Sequence, residues 1–161
     1  MSESSLEQRQ RDVYETHKHR TFAVAFYMTG NEMEAEEVLE NTFVRAFGAA
    51  PEPDGCGVDV AMVDELRDRL PLDAVEAVAS AVPGESLHGR NVKRTELEEA
   101  LKDLPPNERI VFLLRDVEGY APERVAALLE IPKPQVERTL LSARIRMRQS
   151  LARMLRRPQA A

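Results

Sequence analysis

The stretch that decides the fold is residues 122–157, PERVAALLEIPKPQVERTLLSARIRMRQSLARMLRR. It predicts a short helix, a three-residue turn near Glu130-Ile131-Pro132, and a long basic helix from about Pro134 to Arg156. Two helices joined by a tight turn, the second one basic, are typical of a helix-turn-helix. We therefore predict an all-α C-terminal domain of this kind.

A helical wheel at about 100° per residue separates two faces of the long helix. The apolar face should pack on the preceding helices and comprises Val136, Leu140, Ala143, Met147, Leu151 and Met154. The opposite face carries long or hydroxylated hydrogen-bond donors, namely Gln135, Arg138, Ser142, Arg146, Gln149 and Arg153. Such side chains can reach phosphates and base edges in a major groove, so this face is a candidate DNA contact. The alternative interpretation is a solvated basic face on a bundle helix.

Charge is distributed unevenly along the 161 residues, whose formal net charge is -6. Residues 122–157 hold nine Lys and Arg against three acidic residues, a net charge of +6, so residues 1–121 carry -12. A basic segment in an acidic chain can still bind nucleic acid, because the local charge decides the contact. The charge pattern therefore favours DNA contact by the last helix.

Helical patterns continue upstream of this motif. In TELEEALKDL, Thr95 and Glu98 have the spacing of a capping box, and Pro105-Pro106 should stop this helix and start the next. The next helix, NERIVFLLRDVEG, should end at Gly119. We assign residues 94–157 to one domain.

The N-terminal zone, residues 6–48, has helical periodicity with one break at Thr29-Gly30. Gly30 can end a helix in the left-handed conformation, and Asn31 can cap the next one, with Glu34 three residues on. One apolar stripe follows, formed by Ala35, Val38, Leu39, Thr42, Phe43 and Ala46. The pattern predicts a helical hairpin, which could extend to about residue 70.

Residues 49–93 separate the two helical zones and are interpreted as an acidic, partly ordered linker. Val60, Val63, Leu66 and Leu70 could build one short helix there, and LDAVEAVASAV (72–82) another. The predicted fold class is thus all-α, with two small helical domains joined by a linker.

Several function classes are disfavoured by the sequence. The single cysteine, Cys56, excludes an internal disulfide and a multi-cysteine metal site. The polar N-terminus is not a signal peptide and no apolar run approaches a membrane span, so a cytoplasmic location without membrane contact is expected. His17 and His19 lack an evident third ligand, and no Gly-rich phosphate loop is present. We expect no catalytic residues, no metal and no cofactor, hence no enzyme.

Two stretches resemble the extracytoplasmic-function class of RNA polymerase sigma factors, in the sigma-70 family. LEEALKDLPPNERIVFLLRDVEGYAPERVAALLEIPKPQVERTLLSARIRMRQSL (97–151) is similar to the promoter-binding fourth domain. VYETHKHRTFAVAFYMTGNEMEAEEVLENTFVRAF (13–47) is similar to the core-binding second domain. The two domains occur in the family's order, which makes the combination specific.

The resemblance implies partners and site residues. Core RNA polymerase would bind the acidic helix at Glu36, Glu37, Glu40 and Asn41. Double-stranded promoter DNA would bind the recognition helix at Lys133, Gln135, Arg138, Thr139, Ser142 and Arg144, and the wheel adds Arg146. An anti-sigma protein is a further possible partner. The implied function is to direct core polymerase to specific promoters for transcription initiation.

The chain departs from the family pattern in its middle, where members carry a basic, aromatic-bearing helix that separates DNA strands. The matching stretch here is GVDVAMVDELRDRLPL (57–72), and residues 51–89 have nine acids against Arg67 and Arg69. Strand capture needs aromatic faces and positive charge. The alternative function is therefore a sigma-like DNA-binding regulator or decoy that does not melt promoters.

Overall fold

The chain is described by a computed structural model over residues 3–75, 77–80 and 91–156. Within these ranges it contains α-helices and no strand, which confirms the all-α prediction. The helices are α1 (Glu3–Thr29), α2 (Glu32–Ala49), α3 (Gly55–Arg69), α4 (Arg94–Lys102), α5 (Pro106–Phe112), α6 (Pro122–Leu129) and α7 (Lys133–Arg156), and a π-helical turn (Leu113–Val117) follows α5. The chain divides into two compact units, Met1–Leu72 and Asp73–Ala161.

The break between α1 and α2 forms as the sequence predicts. Gly30 adopts a left-handed backbone with φ of 69°, and its N–H donates to the Phe26 carbonyl over 2.7 Å. The Asn31 side chain then accepts a hydrogen bond from the Glu34 N–H at 3.1 Å, which caps α2. The hairpin therefore follows from two adjacent local signals, the left-handed Gly30 and the Asn31 cap.

Helix α3 completes the first unit, although its residues fall in the zone predicted as a linker. Phe43 and Ala46 of α2 form a buried core cluster with Val58 and Ala61 of α3. Asp59 of α3 is fully buried and accepts a hydrogen bond from Arg20 of α1 at 3.0 Å. Both apolar packing and a buried ion pair thus hold α3 on the hairpin.

A second ion-pair cluster joins α3 to α2 around the buried carboxylate of Glu65. Glu65 accepts hydrogen bonds from Asn41 (2.9 Å), Arg45 (2.9 Å) and Arg69 (3.1 Å). Burial raises the pKa of Glu65, but the hydrogen bonds from Asn41 and Arg69 and the nearby arginines outweigh it, so the pKa is lowered overall. A carboxyl group whose pKa is lowered in the folded state stabilises the folded unit near neutral pH. This stabilisation is lost as the pH falls through the lowered pKa.

In the second unit, the Pro105-Pro106 break forms as predicted, since Pro106 is the first residue of α5. The Arg109 guanidinium lies against the end of α4 and donates to the carbonyls of Leu101 (2.9 Å) and Leu104 (2.9 Å). Arg109 thus adds a second hydrogen bond to the Leu101 carbonyl, which also accepts from the Leu104 N–H at 3.1 Å, and supplies a donor to the Leu104 carbonyl just beyond the helix end. Burial lowers the pKa of Arg109.

The helix-turn-helix is formed by α6 and α7. The predicted apolar face of α7 is confirmed, because Val136, Leu140, Ala143, Met147 and Leu151 are buried, while Met154 is half-buried. The turn places Glu130 in the left-handed region with φ of 56°, which is costly for a residue with a side chain. Ala121 precedes α6 and makes no side-chain cap, where a Ser would contribute about 1 kcal/mol.

Two local predictions are wrong. Helix α4 begins at Arg94, and the Lys93 N–H donates to the Glu96 side chain at 2.9 Å, so Thr95 lies inside the helix and does not cap it. The stretch 72–82 is not helical at residues 73–75 and 77–80, and polar side chains of α7 bind the backbone of residues 77–80. The rest of that stretch, 76 and 81–82, and most of the predicted linker after it lie outside the described residues. None of the helices in the described ranges is long and apolar enough to cross a membrane.

Candidate protein and nucleic-acid interfaces

The acidic face of α2 is solvent-exposed. Glu36, Glu37 and Glu40 are all exposed, as is Asn41. Glu36 and Glu40 form no ion pair with any residue that the structure describes, whereas Glu37 pairs with Arg69 at 3.2 Å. The Asn41 amide is directed to Glu65. Of the four predicted polymerase-binding residues, Glu36 and Glu40 are therefore open to a partner, and Glu37 and Asn41 also brace α3.

Two apolar side chains on the same face were not predicted as site residues. Met33 is 75% exposed and Val44 is 73% exposed. Their separations from Glu36, Glu37 and Glu40 are three, four, seven or eight residues, so these five side chains share one helix face. Exposed apolar groups beside acids are typical of a protein-binding surface. The sequence could have indicated both residues, because Met33 and Val44 fall at helical spacing on the stripe of Glu36, Glu37 and Glu40.

The exposed face of α3 differs in character. It carries Cys56, Val60, Asp64 and Asp68, spaced four residues apart. Asp64 lies 3.7 Å from Arg67, and Asp68 pairs with Arg45. This face presents neither an aromatic ring nor an excess of cations, as the sequence indicates. The described residues contain no cluster of three or more potential ligands that could hold a metal ion.

In the second unit, the start of α7 presents its side chains to solvent. Arg138 is exposed and makes no ion pair with a described residue, and Gln135 and Thr139 beside it are partly exposed. Lys133 is paired with Glu123 at 2.8 Å, and this contact raises the pKa of Lys133. Of the predicted DNA-binding residues, Arg138 is thus the cation most available to a duplex.

Three other predicted DNA-binding residues already have protein partners. Arg144 makes a two-bond contact with Asp116, at 2.9 and 2.7 Å. Arg146 donates to both carboxylate oxygens of Glu108, at 3.1 and 3.2 Å, and Ser142 donates to the same carboxylate at 3.0 Å. Glu108 is only 2% exposed. The sequence did not indicate that a buried acid lies beneath this part of α7.

The outward placement that the wheel predicts for Ser142 is wrong, because Ser142 is 1% exposed. It is covered by Glu108 on one side and by residues 77–80 on the other. The Ala79 N–H donates to the Ser142 hydroxyl at 2.9 Å, and the Ala77 carbonyl accepts from Arg146. The role of Ser142 in DNA binding stays a prediction that requires this cover to move.

Gln149 extends the contact along α7. Its side-chain amide donates to the Ser80 carbonyl at 2.8 Å. A partly open cavity of about 420 Å³ lies between residues 75–78, the start of α5 and the first half of α7. It is lined by Val75, Ala77, Val78, Asn107, Glu108, Gln135, Arg138, Thr139 and Ser142.

Comparisons with known proteins agree with this geometry. Residues 94–147 match the family described as Sigma-70, region 4, which covers α4 to most of α7. The chain is 26% identical over 153 residues to the ECF RNA polymerase sigma factor SigE of Mycolicibacterium smegmatis. That alignment covers 85% of this chain and 59% of SigE, so the chain spans about three fifths of this relative's length.

A solved structure has the same fold at low sequence identity. It is the sigma factor RpoE in complex with the anti-sigma factor NepR from Bartonella quintana, with a TM-score of 0.61 and 18% identity. The match covers 95% of this chain and 99% of that chain. At this identity the likeness concerns the fold.

Proposed function

We propose that this chain is a sigma factor of the extracytoplasmic-function class in the sigma-70 family and that it directs core RNA polymerase to specific promoters for transcription initiation. The observation that carries the proposal is the pairing of two surfaces on one chain. An exposed acidic and apolar face on α2 suits a protein partner, and a basic recognition helix in a region 4 match suits duplex DNA. The role is non-enzymatic and places the chain in the cytoplasm, where both partners are found.

The polymerase contact would use the face of Met33, Glu36, Glu40 and Val44. Met33 and Val44 would bury apolar surface at the two ends of the contact. The carboxylates between them would orient the polymerase through complementary charge. Since Glu37 and Asn41 hold α3 through Arg69 and Glu65, they would act more on the shape of the surface than on the partner itself.

The DNA contact would use the exposed start of α7, where the helix enters the major groove. Arg138 is the side chain that we expect to reach a base edge, flanked by Gln135 and Thr139. Lys133 and Arg144 would exchange their present carboxylate partners, Glu123 and Asp116, for phosphates. An anti-sigma protein, like the one bound to the Bartonella RpoE, is a further proposed partner.

The expected result of Arg138→Ala is a loss of about 1–3 kcal/mol in specific duplex binding, because a base-contacting arginine is removed. The measurement is a fluorescence-anisotropy titration of the full chain with a duplex selected from a random library. Arg156→Ala near the helix end is the control, and it should change the affinity by less than Arg138→Ala. An Arg138→Ala variant that binds the selected duplex as tightly as the native chain would remove Arg138 from the interface.

The comparisons offer nothing that favours the alternative of a decoy that does not melt promoters. Promoter melting is nevertheless the step that needs a test. The exposed face of α3 carries Cys56, Val60, Asp64 and Asp68, which can neither stack on the bases of single-stranded DNA nor attract its phosphates. Run-off transcription on fully paired and on premelted templates separates the two functions.

A further inference from the structure

Residues 77–80, here called the strap, lie beside α7, where Ala77 and Val78 line one cavity together with Gln135, Arg138 and Thr139, which the proposed function assigns to DNA. The strap makes three hydrogen bonds to α7, and each uses a side chain of the predicted DNA-facing set. Ser142 accepts from the Ala79 N–H, Arg146 donates to the Ala77 carbonyl, and Gln149 donates to the Ser80 carbonyl. These α7 side chains follow each other at intervals of four and three residues, so the strap runs along one stripe of the helix.

The strap occupies groups that a duplex would need. Its carbonyl oxygens accept hydrogen bonds from the guanidinium of Arg146 and the amide of Gln149, where phosphate oxygens would accept them in a complex. Its backbone also covers Ser142. A major groove that receives α7 leaves no room for an additional chain on the same stripe, so strap and duplex exclude each other.

The contact between the strap and α7 is weak enough to be released. Val75, just before the strap, and Val78 within it are 73% and 55% exposed, so little apolar surface holds this segment down. The cavity of about 420 Å³ between this segment and α7 shows that the two surfaces are not closely packed. The strap is neutral, whereas phosphates make stronger, charge-assisted hydrogen bonds to the same groups. DNA can therefore displace the strap, at a cost in apparent affinity.

We propose that the strap is an autoinhibitory segment that competes with promoter DNA for α7, so that its release raises DNA affinity. The inference rests on the proposed function, because it concerns the regulation of the same DNA site. The apparent dissociation constant of such a site is the intrinsic one divided by the fraction of molecules whose strap is released. Any partner that draws residues 77–80 away from α7 would then activate DNA binding.

The test uses Ala79→Pro in the full chain, which removes the N–H that donates to Ser142 without changing any residue of α7. Ala79→Ser, which keeps that N–H, is the matched control. We expect Ala79→Pro to bind a selected duplex roughly three- to tenfold more tightly than the native chain, and Ala79→Ser to bind like the native chain. If residues 77–80 had only a structural role, a substitution there would not be expected to raise the affinity of α7 for DNA.

A second measurement follows the native chain by NMR during the same titration. The amide resonances of residues 77–80 should move toward random-coil positions as the α7 resonances shift. Equal affinities of Ala79→Pro and the native chain, or strap resonances that stay in place while those of α7 move, would overturn the inference and leave the proposed function intact. If neither protein binds any duplex at low salt, the proposed function fails, and this inference fails with it.

Discussion

Reversing the charge of Glu36 and Glu40 together, as Glu36→Lys with Glu40→Lys, should weaken binding to core RNA polymerase about 100-fold. Both carboxylates are exposed on the α2 face and have no ion-pair partner among the described residues, so their field is directed to solvent. Against a complementary basic surface, two reversed charges turn attraction into repulsion, which costs several kcal/mol, and about 1.4 kcal/mol corresponds to tenfold. Glu37 and Asn41 are left unchanged, because altering them would also disturb Arg69 and Glu65.

The measurement is the equilibrium affinity of the full chain for immobilised core polymerase at two salt concentrations. Glu7→Lys with Asp103→Lys is the control, since both residues are exposed and the net charge changes by the same amount. The control should retain native affinity, and the native interaction should weaken with salt more steeply than that of the reversed variant. Equal losses in the two variants would mean that overall charge, and not the α2 face, governs the association.

Removing the buried carboxylate with Glu108→Ala should lower the free energy of unfolding of the second unit by about 3 kcal/mol. Glu108 is 2% exposed and accepts hydrogen bonds from Arg146 and Ser142, so its loss leaves the Arg146 guanidinium without its carboxylate and the Ser142 hydroxyl without its acceptor. Breaking a buried pair by deleting one member costs about 3–5 kcal/mol, and the partial exposure of Arg146 places this case at the lower end.

This prediction has a matched control in the π-helical turn that follows α5. Asp116→Ala breaks the pair of Asp116 with Arg144, whose side chains are 26% and 51% exposed, and a pair open to water contributes at most about 1 kcal/mol. Urea unfolding followed by far-UV circular dichroism gives the free energies, and hydrogen exchange of the α7 amides assigns the loss to the second unit. A Glu108→Ala chain as stable as Asp116→Ala would show that the buried carboxylate does not hold α7.

The sequence predicted most of what depends on neighbouring residues. Gly30 and Asn31 set the α1–α2 break, Pro106 sets the start of α5, and the wheel finds the buried face of α7. Each of these rests on contacts within a few residues, where spacing alone determines geometry.

The features that the sequence did not predict depend on distant residues. A helical wheel gives the direction in which Ser142 points from the helix axis. It does not show that Glu108, 34 residues away in sequence, lies directly against Ser142. The strap pairs Ala77 with Arg146 across 69 residues, which no local pattern encodes. Alanine and valine in residues 72–82 suggested a helix, but backbone groups there bind side chains of α7 instead.

The most direct test of the sigma-factor assignment is run-off transcription with purified core polymerase and promoters selected by binding, on fully paired and on premelted templates. We expect specific transcripts above those of core enzyme alone from both templates, and we expect the Glu36→Lys, Glu40→Lys double variant to lose them. Transcripts from the premelted template alone would contradict initiation by this chain and favour the regulator that does not melt DNA. The absence of specific transcripts from either template would contradict the assignment itself.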